Sequence, residues 1–340
     1  MNTHNVTLVF EDGRAVRFDA NEDDNLYFAC LKNKVRLLTD CLEGACATCK
    51  GLCTSGTYYL DEYTDEALTP EEYTKREVLT CQMHVTSDCV IEFPYESNLA
   101  LKSKPDVRMA TVVAADMVSS TVAQLVVKPN SDQEPIPFLP GQYVHLAVPG
   151  TDEHRSYSFA NAASETGAYT FYIKILENGE MSNYLTSNVK SGDEMTVEGP
   201  FGRFYMRPIN RPILMVAGGT GLAPMLSMLD TMAGQDNKGF PVHLLYGANH
   251  AEELFGLDQI AGYGEQGLDL SLEISVVDAD NSWEGESGHV TDLLRPDLLN
   301  GGNCDVYLCG PPPMIDAANA WLVENDMSSA QIYSEKFVAS

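Results

Sequence analysis

Cys41, Cys46 and Cys49 stand as Cys-x4-Cys-x2-Cys in DCLEGACATCKG, and Cys81 follows after 31 intervening residues in VLTCQMH. Thiolates bind iron tetrahedrally, and this spacing is the pattern of a plant-type [2Fe–2S] cluster. Gly44, Ala45, Ala47, Thr48 and Gly51 keep the loop small. Backbone N–H groups can then crowd the sulfurs and stabilise the charge added on reduction. Two other readings stand beside this one. A zinc site built from four cysteines also uses close pairs, although zinc ribbons carry two Cys-x2-Cys pairs and this chain has one. Four free cysteines can also simply pack. Cys53 lies four residues beyond Cys49. Choosing it as a ligand leaves the short pair unused, so Cys49 is assigned. Cys30, Cys53 and Cys89 read as core or incidental.

A second group is RSYS, with Arg155, Ser156, Tyr157 and Ser158, downstream of PGQYV at 140–144. A flavin needs an aromatic against its ring face, a hydroxyl to donate to N5, and a cation for its pyrophosphate. RSYS supplies all three within four residues. The helix opening at GEMSNYL (179–185) can aim backbone N–H groups at the same pyrophosphate. Taken alone, RSYS is equally an ordinary barrel strand. A third group, AGGTGLAPM (217–225), with Gly218, Gly219, Thr220 and Gly221, ends one strand and opens a helix. It departs from Gly-x-Gly-x-x-Gly. Its small residues still permit close backbone approach, a helix N-terminus favours phosphate, and Pro224 suits a first helical turn. It also reads as a plain glycine-rich turn.

These residues need elements to hold them. Residues 1–100 read as short strands (VTLVFED and GRAVRFDA around a Gly turn, CVIEFPYE as a closing strand) and a helix, NLYFACLKN, with Leu26, Cys30 and Leu31 on one face. SNLALKSKPDV has a proline and little periodicity, which places a linker at 101–106. Residues 107–207 are short β-branched segments separated by turns, the pattern of a barrel or sandwich, interrupted by one short helix, MSNYLTSNV. Residues 208–340 alternate strand and helix: PILMVAGG, LAPMLSMLDTMA, PVHLLYGA, EELFGLDQIAGYG, LSLEISVVD, CDVYLCGP and MIDAANAWLVEN. That alternation implies a parallel sheet with crossovers.

EGACATCKG with the later TCQ resembles the ferredoxin module of plant and cyanobacterial type, over residues 1–100. PGQY, RSYS and the helix at 179 together resemble the ferredoxin–NADP reductase superfamily, as do GGTGLAP and CGPPPM (309–314). The resemblance implies a multidomain α+β and α/β chain. Its parts would be an N-terminal β-grasp ferredoxin, an antiparallel β-barrel flavin domain and a C-terminal doubly wound parallel sheet. It assigns flavin contacts to Arg155, Tyr157 and Ser158, and pyrophosphate contacts to Met181 and Ser182. Backbone contacts with flavin or ribityl fall to the strand at 172–174, including Ile173 and Lys174. Cys309, with Gly310 and Pro311, would lie near the nicotinamide. Glu335 and Phe337 match a Glu-x-aromatic terminus whose ring covers the second flavin face. Cys309 can also be an inert buried thiol, and Phe337 can simply pack.

The order of modules resembles the three-domain reductases of bacterial aromatic-ring dioxygenases, of the benzoate 1,2-dioxygenase reductase type. Phthalate-type reductases place the ferredoxin last and use FMN, so this order implies FAD. In the family, NADP users place Arg or Ser after the second strand. YGANHAEELF (246–255) has no Arg and several acids, which implies NADH. The implied path runs from NADH to FAD, shaped by Ser158, Cys309 and Glu335, then singly to the cluster and on to an oxygenase component. The reductase of a soluble di-iron monooxygenase shares the domain order, and a redox sensor without turnover is a third reading.

The net charge of −28 disfavours nucleic acid and anionic membrane surfaces as partners. It suits solubility, or an acidic face that steers a basic protein. Asp40, Glu43, Asp61 and Glu62 near the cysteine loop fit either use. No run of 18 apolar residues occurs, and the first residues lack a signal-peptide pattern. A cytoplasmic monomer is expected. Seven of the nine cysteines fall in the first 89 residues, which favours a metal site over a disulfide framework. The purified protein should show flavin and iron–sulfur absorption that both bleach on anaerobic addition of NADH. A colourless protein containing zinc would refute the assignment, and rapid NADH-to-ferricyanide turnover would exclude the sensor.

Overall fold

The computed structural model describes all residues except 1, 12–14, 102–105, 131–134, 137, 164–166, 203, 208, 235–238, 328–329 and 338–340. The expected Gly turn at 12–14 and most of the expected linker lie outside the described residues. The chain forms two compact units, Met1–Pro105 with Phe201–Arg203, and Asp106–Pro200 with Phe204–Ser340.

The first unit contains β1 (Thr3–Phe10), β2 (Ala15–Asn21), α1 (Leu26–Lys32), β3 (Lys50–Ser55), β4 (Tyr58–Leu60), α2 (Pro70–Thr74), β5 (Glu77–Leu79), β6 (Met83–Val85), β7 (Cys89–Phe93) and α3 (Ser97–Ala100). Its main sheet runs β2-β1-β7-β3-β5, with β1 and β7 parallel, and β4 pairs with β6. Alternation in β1 buries Val6, Leu8 and Phe10, and Phe10 stacks on Phe93 at 5.6 Å. This is the expected β-grasp, with α1 held against β2 and β6. Asn25 caps α1, its Oδ1 accepting from Phe28 N. The inner face of α1 is Leu26, Tyr27, Ala29 and Cys30. Leu31 does not join it and is exposed. Five residues from Leu26 is about 140° around a helix, too far for one face. β3 to β6 are too short and mixed to announce themselves by period.

In the second unit the short β-branched segments expected over 107–207 form β8 (Asp106–Met117), β9 (Val122–Pro129), β10 (Tyr143–Ala147), β11 (His154–Ser158), β12 (Tyr169–Lys174) and β13 (Glu194–Phe201). They make an antiparallel sheet ordered β11-β10-β13-β8-β9-β12, whose end strands β11 and β12 meet. Phe159 fills its core, stacked at 3.6 Å on Phe138. α4 (Glu180–Asn183) continues as a π-helical turn, Tyr184–Asn188.

The remainder alternates β14 (Ile213–Gly218), α5 (Leu222–Ala233), β15 (Val242–Ala248), α6 (Leu257–Glu265), β16 (Leu270–Val276), β17 (Glu286–Ser287), β18 (Asp305–Gly310), α7 (Pro312–Glu324) and β19 (Gln331–Lys336). The parallel sheet runs β17-β16-β15-β14-β18-β19. Alternation in β14 splits two cores: Ile213, Met215 and Ala217 face α5 and α6, while Leu214 and Val216 face α7. The sheet is therefore doubly wound, with its switch point between β14 and β18. The helix read over EELFGLDQIAGYG breaks in two. Gly256 adopts φ +74 and starts α6 afresh after a short 3-10 turn, Ala251–Glu253. β17 and β19 have no apolar period that marks them as strands.

Side chains tie the barrel to the nucleotide-binding sheet. Tyr172 Oη accepts from Gln124 Nε2 (2.9 Å) and donates to Gln259 Oε1 on α6 (3.0 Å). Ala162 N donates to Asp230 Oδ2 on α5 (2.7 Å), and Ser227 Oγ donates to Asn161 O (2.8 Å). Tyr172→Phe removes one hydroxyl and strands two amides. It should cost about 1–2 kcal/mol, read as a lower urea midpoint with an unchanged m-value.

Candidate functional site

β3 and β5 assemble half of the cysteine site. Cys49 precedes β3 and Cys81 follows β5, and the two strands pair through Lys50 and Leu79. Residues far apart in sequence thus meet, with Cys49 Sγ 3.3 Å from Cys81 Sγ. Cys41 and Cys46 make a second pair joined by a hydrogen bond between their sulfurs. Each pair feels the charge of the other. The Cys46 thiol pulls Cys41 down to about 5, and the Cys49 thiol pulls Cys81 down to about 7. One sulfur of each pair is therefore poised to ionise as a metal ligand.

The loop is shaped to serve these sulfurs. Leu42, Gly44 and Ala47 have φ near +60 to +74. A Cβ on Gly44 would lie 2.8 Å from Tyr63 Cβ and 2.9 Å from Glu62 O. The resulting coil aims Glu43 N and Ala45 N at Cys41 Sγ, each at 3.4 Å. Gln82 Nε2 approaches Cys81 Sγ at 3.5 Å and also donates to Leu42 O. Each iron of a [2Fe–2S] cluster takes two thiolates, and the sulfurs stand two by two among donors, so the residues fit that group. A single zinc ion needs four ligands at one point. Among the described residues, no three ligand-type side chains converge in that way. Cys46 is exposed and Cys41 half-buried, while Cys49 and Cys81 are buried, so one edge of the site faces solvent.

Sequence reasoning missed Asn25. Besides capping α1, its Nδ2 donates to Cys81 O at 2.8 Å. A residue 56 positions upstream gives no local signal of that contact.

On β11, Arg155 and Tyr157 share one face, opposite Leu146 and Val144 of β10, and Ser158 turns to the other. Arg155 Nη1 donates to Glu153 Oε2 (2.6 Å), and the residue lines an open cleft of about 350 Å3 with His145, His154, Ser156 and Glu198. Tyr157 leans on the barrel core, and burial pushes its phenol up. Met181 points into that core, and Ser182 Oγ accepts from Leu176 N (2.9 Å). Gly179 provides no side-chain cap, so the first-turn N–H groups are offered by backbone rather than by these side chains. Ile173 is buried and Lys174 exposed. Their strand, β12, ends the sheet beside β11, and Thr170 O accepts from Ala160 N (2.9 Å) along that edge.

At the switch point the glycines divide by task. A Cβ on Gly221 would lie 2.2 Å from Cys309 O, on Gly218 2.7 Å from Met314 Sδ, and on Gly310 2.9 Å from Met314 Cε. Those three permit the two turns to pack. Gly219, at φ +54, has nothing within 4 Å of its missing Cβ, so it is the one with open space beside it. Thr220 completes that 3-10 turn. Pro311, Pro312 and Pro313 start α7, where Met314 N and Ile315 N already bond to Pro311 O, so that helix start presents few free donors. Cys309 faces Glu335 across β18 and β19, and Phe337 N donates to Gly310 O (2.9 Å). Ser158 Oγ donates to Glu335 Oε2 at 3.5 Å. Ser158, Cys309 and Glu335, 177 residues apart at the extremes, therefore meet. Burial, reinforced by Glu335, pushes the Cys309 thiol up and keeps it neutral. Phe337 is half-buried against the neighbouring core. Glu252 and Glu253 follow β15, and Asp278, just after β16, lies 3.9 Å from His250. Those acids suit a free ribose diol and repel a 2′-phosphate.

Three family models match the chain: a 2Fe-2S iron-sulfur cluster binding domain over 9–86, an oxidoreductase FAD-binding domain over 109–205 and an oxidoreductase NAD-binding domain over 215–320. The toluate 1,2-dioxygenase electron transfer component of Pseudomonas putida is 39% identical, with 99% of each chain covered. The anthranilate 1,2-dioxygenase electron transfer component of Acinetobacter baylyi is 38% identical, over 99% of this chain and 98% of that one. The propane 2-monooxygenase reductase component of Mycolicibacterium goodii is 33% identical over 95% of each. Among solved structures, an Amycolatopsis cytochrome P450 reductase superposes with a TM-score of 0.72 at 27% identity, covering 98% of this chain and 99% of that one.

Asn25→Asp keeps the α1 cap but replaces the donor to Cys81 O with a repelling oxygen. It should destabilise the first unit by about 1 kcal/mol and speed loss of cluster absorbance in urea. Unchanged bleaching would show that the contact is idle.

Proposed function

The chain belongs to the oxidoreductase family that joins a 2Fe-2S cluster binding domain to FAD- and NAD-binding domains, and from that premise we propose that it is the NADH-dependent reductase of a benzoate-type ring-hydroxylating dioxygenase. The meeting of Ser158, Cys309 and Glu335 at the carboxyl end of the doubly wound sheet carries the reading. The flavin site would supply two-electron chemistry with NADH, and the four cysteines would hold a cluster that supplies one-electron transfer toward an oxygenase component.

The chain's own residues set the conditions. Ser158 would place its hydroxyl oxygen at flavin N5, and Glu335, which accepts the Ser158 hydrogen bond, would orient it. Cys309, neutral and dry, excludes water and charge beside the nicotinamide. Arg155 and the N–H groups of Met181 and Ser182 hold the pyrophosphate, and Tyr157 and Phe337 bracket the ring. Gly219 and Thr220 admit the dinucleotide phosphates, with Gly218, Gly221, Gly310 and Pro311 shaping the turns. Cys41, Cys46, Cys49 and Cys81 hold the iron. Full-length relatedness to dioxygenase components, above that to monooxygenase reductases, favours the dioxygenase.

The modules of this reading are a ferredoxin at 1–100, a linker at 101–106, a flavin barrel at 107–207 and a nucleotide domain at 208–340, in a cytoplasmic monomer. Among the described residues, no helix is long and apolar enough to cross a membrane. Ser158→Ala should slow stopped-flow flavin reduction by NADH roughly 10²-fold while leaving flavin binding near normal. Mixing with purified oxygenases separates the partners. NADH-dependent hydroxylation with a di-iron monooxygenase but no ring-hydroxylating dioxygenase would overturn the assignment.

A further inference from the structure

Two cysteines outside the cluster site are not idle packing. Cys53 lies on the inner face of β3 and Cys89 opens β7, the strand beside it. The β3–β7 register shifts between Cys53 and Ser55; Cys53 Sγ donates to Ser55 O (3.2 Å), Cys89 Sγ approaches Thr57 O (3.5 Å), and the two thiols interact across the paired strands. Gly56 makes this possible. At φ +99, a Cβ there would lie 2.4 Å from Cys89 Sγ.

Arg76 grips the same spot. Its Nε donates to Cys53 O (2.7 Å), and its Nη2 donates to Gly56 O (2.6 Å) and approaches Cys53 Sγ at 3.4 Å. Cys53 N donates back to Arg76 O (2.9 Å). Arg76 itself sits at φ +66, a conformation that a non-glycine residue adopts at some cost, and this posture aims the guanidinium at the sulfur. The guanidinium also lies over Tyr58 at 5.4 Å. A cation against one thiol favours its ionised, reactive form even though both sulfurs are buried. The pair lies one layer down, under exposed Thr54, Ser55 and Arg76, so the reagent must be small and uncharged.

We propose that Cys53 and Cys89 form a peroxide-oxidised dithiol, with Cys53 as the nucleophile held by Arg76 and Cys89 as the resolving thiol. The neighbouring Cys89 thiol and the Arg76 guanidinium lower the Cys53 thiol against the opposing effect of burial, so Cys53 is the thiol of the pair that gives up its proton. Cys53 sulfur attacks hydrogen peroxide and breaks the O–O bond. This gives the sulfenic acid and hydroxide, which takes up the proton that Cys53 released, as water. The Cys89 thiol then displaces the sulfenic hydroxyl, forming the S–S bond and a second water. Two thiols and one peroxide become one disulfide and two waters. Added thiol reverses the reaction. The site sits four residues along β3 from Cys49, roughly 13 Å at strand rise, so the disulfide would pin β3 to β7 behind the cluster loop.

The test treats the holoprotein with stoichiometric hydrogen peroxide, blocks free thiols and maps peptides without reduction. A dithiothreitol-reversible Cys53–Cys89 link should appear before the visible iron–sulfur absorption falls. Cys89→Ser should leave Cys53 labelled by dimedone. Arg76→Gln should slow linkage, about twofold at neutral pH and more strongly as the pH is lowered, with Arg76→Lys partly restoring it. The proposal is overturned if the link forms only after the cluster bleaches, if Cys53 stays unlabelled in Cys89→Ser, or if Arg76→Gln links at the parent rate.

Discussion

The approach of β14 and β18 at their carboxyl ends governs the second unit. Gly221 packs so closely on the Cys309 carbonyl that any side chain there would displace backbone. That contact fixes where the glycine turn opens and where Cys309 stops. β19, paired with β18, then delivers Glu335 beside Cys309 and in reach of Ser158. Chemistry from three distant segments thus follows from one backbone approach. The dipole of α5 and the open side of Gly219 gain their meaning from the same geometry.

The first unit solves a different problem with different means. Its site comes from a loop that is coiled rather than a strand that is extended. Left-handed residues turn amides inward, and two short strands close the circuit from Cys49 to Cys81. The result is asymmetric, with a wet pair, Cys41 and Cys46, and a dry pair, Cys49 and Cys81.

Much of this is legible in the residues because chemistry constrains spacing. The four cysteines, RSYS and the glycine turn declare themselves, and long periodic segments such as α5 and the six barrel strands follow from their patterns. Other features depend on distance in space. Asn25 gives no hint of Cys81, and the task of each glycine emerges from what its missing Cβ would strike. Gly256 breaks a helix whose apolar pattern runs on without interruption. Leu31 shows that an apolar residue five along from an inner position faces water. Cys53 and Cys89 look spare in the sequence because only the pairing of β3 with β7 brings them near one another.

The hydrogen bonds that bind the barrel to the nucleotide-binding sheet also bear on recombination. A chimera cut between these two halves would inherit an Asp230 carboxylate without its amide and a Gln259 without its phenol. Each half has therefore been shaped as a lock for its own key. Swapping cofactor preference between relatives is better attempted with barrel and sheet exchanged as one cassette, because the seam between them carries polar pairs that a foreign partner would not match.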